Sequence, residues 1–157
     1  MIMALVEGDK IPDIELTTSS GGKVNLRSYV GAPFVLYFYP KDDTSGCTRE
    51  AQDFSQHLKE FGSLSTAVLG VSKDPPIKHQ KFIDKYDLTV PLATDEDDAA
   101  MEAFGVWVQK SMYGKTYMGI DRSTFLFDAQ GNLVRSWRRV KVPGHAVDVL
   151  EAVRALG

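Results

Sequence analysis

Cysteine is nearly absent from this chain: Cys47 is the single thiol among 157 residues. One thiol cannot close an internal disulfide or build a multi-cysteine zinc site. A disulfide-stapled secreted domain is therefore excluded, and a reducing, cytoplasmic setting is the default expectation. Long apolar runs are also missing. The longest is Phe34–Tyr39, far short of the ~20 residues that span a bilayer, so no membrane partner is expected. The start, Met1–Lys10, has neither a basic n-region nor a long apolar h-region, and no secretory signal is expected there. Neither sign of charge predominates: the net charge is −3, which argues against a protein built to hold nucleic acid. Gly (13) and Pro (7) are too few for a low-complexity or collagenous chain. No internal repeat, P-loop or dinucleotide glycine pattern is present. What remains is an ordinary globular composition, of a length that suits one domain over residues 1–157.

The hydrophobic pattern predicts an α/β protein. Ile14–Leu16 and Lys23–Leu26, around Ser19-Ser20-Gly21-Gly22, read as an N-terminal β-hairpin. Phe34–Tyr39 is a continuous aromatic and β-branched run, as expected of a strand buried on both faces. Pro40 ends it, and 41–46 is polar and turn-like. A helix is expected over Cys47–Phe61, where Ala51, Phe54, Leu58 and Phe61 share a face. Ala67–Ser72 reads as a second buried strand. A helix opened by Pro75 or Pro76 follows, carrying Phe82, Ile83 and Tyr86. Pro91–Ala93 reads as a short strand, and 95–98 begins a helix that Gly105 stops. Ser123–Phe127 and Leu133–Val140 form a strand pair, and Ala146–Leu156 a closing helix. Alternation of this kind implies a mixed central sheet flanked by helices, parallel early and antiparallel late. Function in such sheets collects at the carboxyl ends of strands. Cys47 lies there, just past the strand ending at Tyr39.

A thiol in the first turn of a helix faces unpaired backbone N–H groups and the positive end of the dipole, and both favour the thiolate. Thr44 can place a hydroxyl beside the sulfur, and Gly46 lets backbone approach closely. Taken alone this is only suggestive, because a lone cysteine is commonly a small buried hydrophobe.

The spacing Pro-x-x-x-Thr-x-x-Cys, read from Pro40 through Thr44 to Cys47, resembles the active-site motif of the peroxiredoxins. The wider segment from Phe38 to Ala51 is similar to their bacterioferritin-comigratory (PrxQ) branch. The likeness continues through Ser72-Lys73-Asp74, His79, Phe82 and Lys85, Pro91-Leu92, 104–107 and 113–115. It ends with Gly119–Leu126, where Arg122 matches the family's arginine. The resemblance implies a thioredoxin-like (peroxiredoxin) fold and thiol-dependent reduction of hydrogen peroxide and organic hydroperoxides, with no cofactor and no metal. Cys47 would be the peroxidatic thiolate, becoming a sulfenic acid. Thr44 and Arg122 would hydrogen-bond the thiolate and the peroxide, Pro40 would shield the sulfenic acid, and Glu50 would orient Arg122 or another arginine of the site. Two departures stand out. Ser45 replaces the proline usual in this branch. Gln52 stands where many relatives carry a resolving cysteine, and none occurs near Ile83. An external thiol reductant, namely thioredoxin, glutaredoxin or glutathione, is therefore implied, with the chain acting as a monomer.

Thiolate formation alone does not account for such catalysis. Lowering a generic thiol pKa from about 8.5 to about 6 raises the thiolate at pH 7 from roughly 3% to roughly 90%, about 30-fold. The accompanying fall in nucleophilicity, at a Brønsted slope of about 0.4–0.5, removes roughly 13-fold of that. The net gain is about 2-fold, so the rest must come from groups that receive charge on the leaving oxygen. A unit charge about 4 Å away contributes roughly 4 kcal/mol at an effective dielectric near 20. A helix terminus contributes about 0.3–2 kcal/mol. Arg122 should therefore dominate, its planar fork reaching sulfur and peroxide oxygen together.

Other polar clusters have blander readings. His57 and His79 are expected on helix surfaces, and neither they nor His145 show zinc-protease spacing. The acidic run 95–98 lacks the spaced oxygens of an EF-hand and reads as a solvated helix start. Arg135, Arg138, Arg139 and Lys141 are expected to divide between strand faces. Met112, Tyr113, Tyr117 and Met118 read as core packing or a loop over the active site, with a docking surface for a reductant as the alternative. Two functional alternatives stay open: a peroxide sensor or redox-relay protein that passes a mixed disulfide to a partner, and a thioredoxin-like binding module with an inert thiol.

Overall fold

A seven-stranded mixed sheet carries the molecule. The computed structural model describes residues 4–156. The Met1–Met3 part of the chain's start, and Gly157 of the expected single domain, lie outside the described residues. In sheet order the strands are β2 (Lys23–Asn25), β1 (Glu15–Thr18), β5 (Leu92–Thr94), β4 (Ala67–Ser72), β3 (Phe34–Phe38), β8 (Ser123–Phe127) and β9 (Leu133–Trp137). As the pattern predicts, β3, β4 and β5 pair in parallel, while β8 pairs antiparallel with β3 and β9 antiparallel with β8. The N-terminal hairpin forms and joins the sheet antiparallel to β5.

The β3 run shows why a continuous apolar stretch was needed. Phe34, Leu36 and Phe38 face one cluster, with Met101 and Phe104. Val35 and Tyr37, with Tyr39 just beyond the strand, face the other, among Ala51, Phe54, Phe82 and Val149. Period-two alternation thus serves two hydrophobic layers at once. Helices α1 (Ser45–Ser63), α2 (Pro76–Tyr86) and α4 (His145–Arg154) supply apolar side chains to the second layer, and α3 (Ala99–Phe104) to the first.

Helix α1 begins two residues before the expected start, with Thr44 at its N-cap. Helix α3 is shorter than expected because 95–98 forms the turn before it. That turn is not solvated throughout: Asp95 is buried, and its carboxylate accepts from the N–H groups of Ala100 (3.2 Å) and Met101 (2.9 Å). Gly105 ends α3 at φ 65°, as the sequence indicates; a β-carbon there would also lie 2.6 Å from Ala4 Cβ.

One element was not foreseen. β6 (Trp107–Met112) and β7 (Lys115–Ile120) form a separate two-stranded ribbon. Met112, Tyr113, Tyr117 and Met118 stand exposed on it rather than in a core. Arg135 lies over the Trp137 ring, and Arg138 donates to the carbonyls of Phe104 and Gly105, so both basic groups are engaged within the chain. Among the described residues, no helix is long and apolar enough to cross a membrane.

Candidate active site

Two chain segments meet at the carboxyl end of β3. The first is the turn from Pro40 to Thr44 and the opening of α1, where Cys47 occupies the third helical position. The second is the short link between β7 and β8, which holds Arg122. That link is fixed by backbone bonds: Asp121 N–H to the Val106 carbonyl (2.7 Å) and Val140 N–H to the Arg122 carbonyl (2.9 Å).

Arg122 extends its guanidinium across the mouth of α1. Nη2 donates to Cys47 Sγ at 3.3 Å, and Nη1 donates to Glu50 Oε1 at 2.7 Å. Cys47 and Glu50 are three residues apart, so they lie on one face of the first helical turns, and one fork spans them. Gly46 makes room: a β-carbon there would lie 3.1 Å from Nη2. Cys47 is 2% exposed and Glu50 1%. Both side chains are therefore shielded from bulk solvent, which strengthens the interaction of their charges with Arg122.

The electrostatics follow from that burial. Burial pushes the Glu50 carboxyl up to about 7, against the pull of Arg122. Glu50 Oε2 is buried without a hydrogen-bond partner among the described residues. Burial also works against the Arg122 cation, but the charges of Glu50 and Cys47 outweigh it and hold its pKa above the ordinary value. Tyr37, beneath the site, is raised well above the usual phenol range by burial first and by Glu50 and Cys47 next.

The Thr44 hydroxyl does not reach toward the sulfur as anticipated. It donates to the Lys41 carbonyl at 2.8 Å, which leaves its lone pairs free to accept. Pro40 is half-buried where the chain leaves β3.

The turn is anchored by a buried cluster that the sequence did not reveal. Asp42 accepts from the Tyr39 hydroxyl (2.5 Å) and from His79 Nδ1 (2.6 Å), and its backbone N–H donates to Asp74 (2.8 Å). His79, expected on a helix surface, is wholly buried on the inner side of α2. The next residue, Asp43, accepts from Lys85 and Tyr86, also of α2. The signal available in sequence was the placement of His79 three residues before Phe82, on the same apolar face. Among the described residues, no group of three or more His, Cys, Asp or Glu side chains is arranged to hold a metal.

This geometry coincides with clear kinship. The AhpC/TSA family pattern matches residues 7–136. Peroxiredoxin Bcp of Bacillus subtilis is 45% identical over 152 residues, covering 97% of each chain. The Xanthomonas campestris bacterioferritin comigratory protein, whose structures were described for its alkyl peroxide reduction activity, superposes with a TM-score of 0.86. It is 45% identical, with 91% of each chain covered. A variant of Xylella fastidiosa PrxQ superposes with a TM-score of 0.92 at 38% identity over 98% of each chain. The chain belongs to the AhpC/TSA family, within its Bcp/PrxQ peroxiredoxin branch, and carries a single cysteine.

Proposed function

We propose that Cys47 is the peroxidatic thiolate of a thiol-dependent peroxidase that reduces hydrogen peroxide and organic hydroperoxides. The observation that carries this reading is the 3.3 Å contact between Arg122 Nη2 and the buried Cys47 Sγ. In the first half-reaction the thiolate takes the terminal hydroxyl oxygen of ROOH. An S–O bond forms, the O–O bond breaks, and two electrons pass from sulfur to the departing oxygen. RO⁻ leaves, gains a proton from solvent and becomes ROH, while Cys47 becomes a sulfenic acid.

Each neighbour has a part. Arg122 stabilises the thiolate and then the negative charge on the leaving oxygen. Glu50 holds the guanidinium in place. Thr44, its proton committed to Lys41, accepts the hydrogen bond of the peroxide O–H. Pro40 shields the sulfenic acid. In the second half-reaction an external thiol R′SH attacks the sulfenic acid, releasing water and leaving a Cys47–S–S–R′ mixed disulfide. A second R′SH restores the Cys47 thiol and leaves R′SSR′. Thioredoxin, glutaredoxin or glutathione supplies this thiol. The chain works as a monomer in the cytoplasm.

Peroxide consumption tests the proposal, measured with thioredoxin and its reductase, with glutaredoxin and glutathione, and without reductant. Many turnovers with one system support a peroxidase. A single stoichiometric oxidation with every reductant supports a sensor or relay instead. A Cys47 that stays reduced under peroxide refutes both.

A further inference from the structure

Next to the link that carries Arg122 lies a polar depression, which Asp121 of that link helps to line. This cavity of about 440 Å³ is lined by Val108, Lys110, Tyr117, Asp121 and Arg139, among others. One wall is the β6–β7 ribbon, where 108–111 line the cavity in succession. Val108 and Lys110 share one face of the ribbon by alternation, and in register they pair with Gly119 and Tyr117. The Lys110 stem lies across Gly119, whose β-carbon position is 3.4 Å from Lys110 Cδ. The opposite wall is Arg139, held at φ 51° with its N–H donating to the Asp121 carboxylate at 3.2 Å. The following residue, Val140, donates to the carbonyl of Arg122. The cavity is thus built on the same link that aims Arg122 at Cys47.

Its charges are unbalanced. Lys110 and Arg139 form no ion pair among the described residues, and Asp121 is the one carboxylate lining the cavity with them. Lys110 is half-buried. Burial pushes its ammonium below the usual lysine range; Asp121 and Cys47 oppose that shift while Arg122 adds to it, so the amine shares the field of the reacting sulfur. Two cations and one carboxylate bear on the same cavity, so the charge facing it is net positive and suits an anion. Val108 and Tyr117 offer apolar contact to a short carbon chain.

We infer that this cavity is a carboxylate subsite, in which Lys110 and Arg139 hold the carboxylate of a small ligand whose reactive end meets Cys47. The inference rests on the reading of Cys47 as the peroxidatic thiolate. The carboxylate belongs either to a hydroperoxide in the first half-reaction or to a low-molecular-weight thiol in the second. The 2% exposure of Cys47 favours small ligands. A mixed disulfide with a protein requires the two Cα atoms to come within about 4.4–6.8 Å, whereas a small thiol brings no backbone to the mouth of α1.

The test uses the full chain, Lys110→Gln, Arg139→Gln and their combination, with Lys59→Gln, exposed on α1, as a control for net charge. One arm measures oxidation of Cys47 by 3-hydroperoxy-3-methylbutanoate against tert-butyl hydroperoxide. The other measures reduction of the Cys47 sulfenic acid by 3-mercaptopropionate against 2-mercaptoethanol. In one arm the charged-to-neutral rate ratio should fall about tenfold in the double variant. It should hold in Lys59→Gln, and 0.5 M NaCl should erode it in the parent. The arm that responds identifies the ligand. Unchanged ratios in both arms, with neutral ligands reacting, overturn the subsite alone. If tert-butyl hydroperoxide leaves Cys47 unoxidised in the parent chain, the peroxidase reading fails and the subsite falls with it.

Discussion

Arg122 satisfies two acceptors with the two prongs of one guanidinium, Cys47 Sγ at 3.3 Å and Glu50 Oε1 at 2.7 Å. This arrangement makes Glu50 a positioning residue and gives Gly46 a steric duty. Gly46→Ala would place a methyl group 3.1 Å from Nη2. Because both prongs are already engaged, the guanidinium cannot step aside without lengthening a bond. The expected outcome is a fall of about tenfold in the second-order rate with hydrogen peroxide, since small misplacements of a charge-receiving group cost that much or more. Stopped-flow oxidation kinetics would show it, with the thermal unfolding midpoint little changed.

The buried ionisable groups make opposite contributions to stability as pH varies. Glu50 titrates at about 7 when folded, against an ordinary 4.5. Between those values the folded state holds the proton more tightly than the unfolded state, so this group lowers stability as pH rises, by about 3 kcal/mol in all. His145, near the start of α4 with Nε2 2.8 Å from Thr124 Oγ1, is pushed down by burial to about 4 from 6.5. In that window the unfolded state binds the proton first, so this group raises stability as pH rises, by a similar amount. The parent should therefore show a shallow profile between pH 4.5 and 6.5. Glu50→Gln should unmask a rise in that window, and His145→Gln a decline. Urea unfolding at several pH values measures both.

The clip that fastens the active-site turn to α2 should be costly to break. His79→Leu removes one of the two side-chain donors to a buried carboxylate, Asp42. A loss of about 1.5–3 kcal/mol in unfolding free energy is expected. His79→Asn, which keeps a donor near the Nδ1 position, should recover part of it. Equal losses in the two variants would show that the ring's volume, not its hydrogen bond, matters.

These features were unevenly legible in the sequence. The sheet and the four helices could be read because β3 and β4 are continuous apolar runs, and α1, α2 and α4 carry apolar faces at helical spacing. Cys47, Thr44 and Arg122 were legible as motif residues, and the structure brings Cys47 and Arg122 together. The β6–β7 ribbon was not legible. Its strands face solvent on much of their surface, so neither the alternation nor the apolar run that marks a buried strand is present. The burial of His79 was missed because an isolated histidine looks the same whether it faces water or a carboxylate 37 positions away. The direction of the Thr44 hydroxyl depends on the turn at 41–44, with Asp43 at φ 59°, and no periodicity predicts that.

The central claim is that Arg122 accelerates O–O cleavage by receiving the leaving oxygen's charge, beyond any help it gives to forming the thiolate. The most direct measurement compares two second-order rates at Cys47, with hydrogen peroxide and with iodoacetamide, in the parent and in Arg122→Lys. Both reagents need the thiolate, but only the peroxide has an oxygen leaving group to stabilise. A lysine keeps the charge but cannot bridge Sγ and Glu50 with a planar fork. The account predicts a peroxide rate lowered by about 10²–10³ and an alkylation rate changed by less than about tenfold. Equal losses in the two rates, or a peroxide rate close to that of the parent, would contradict it.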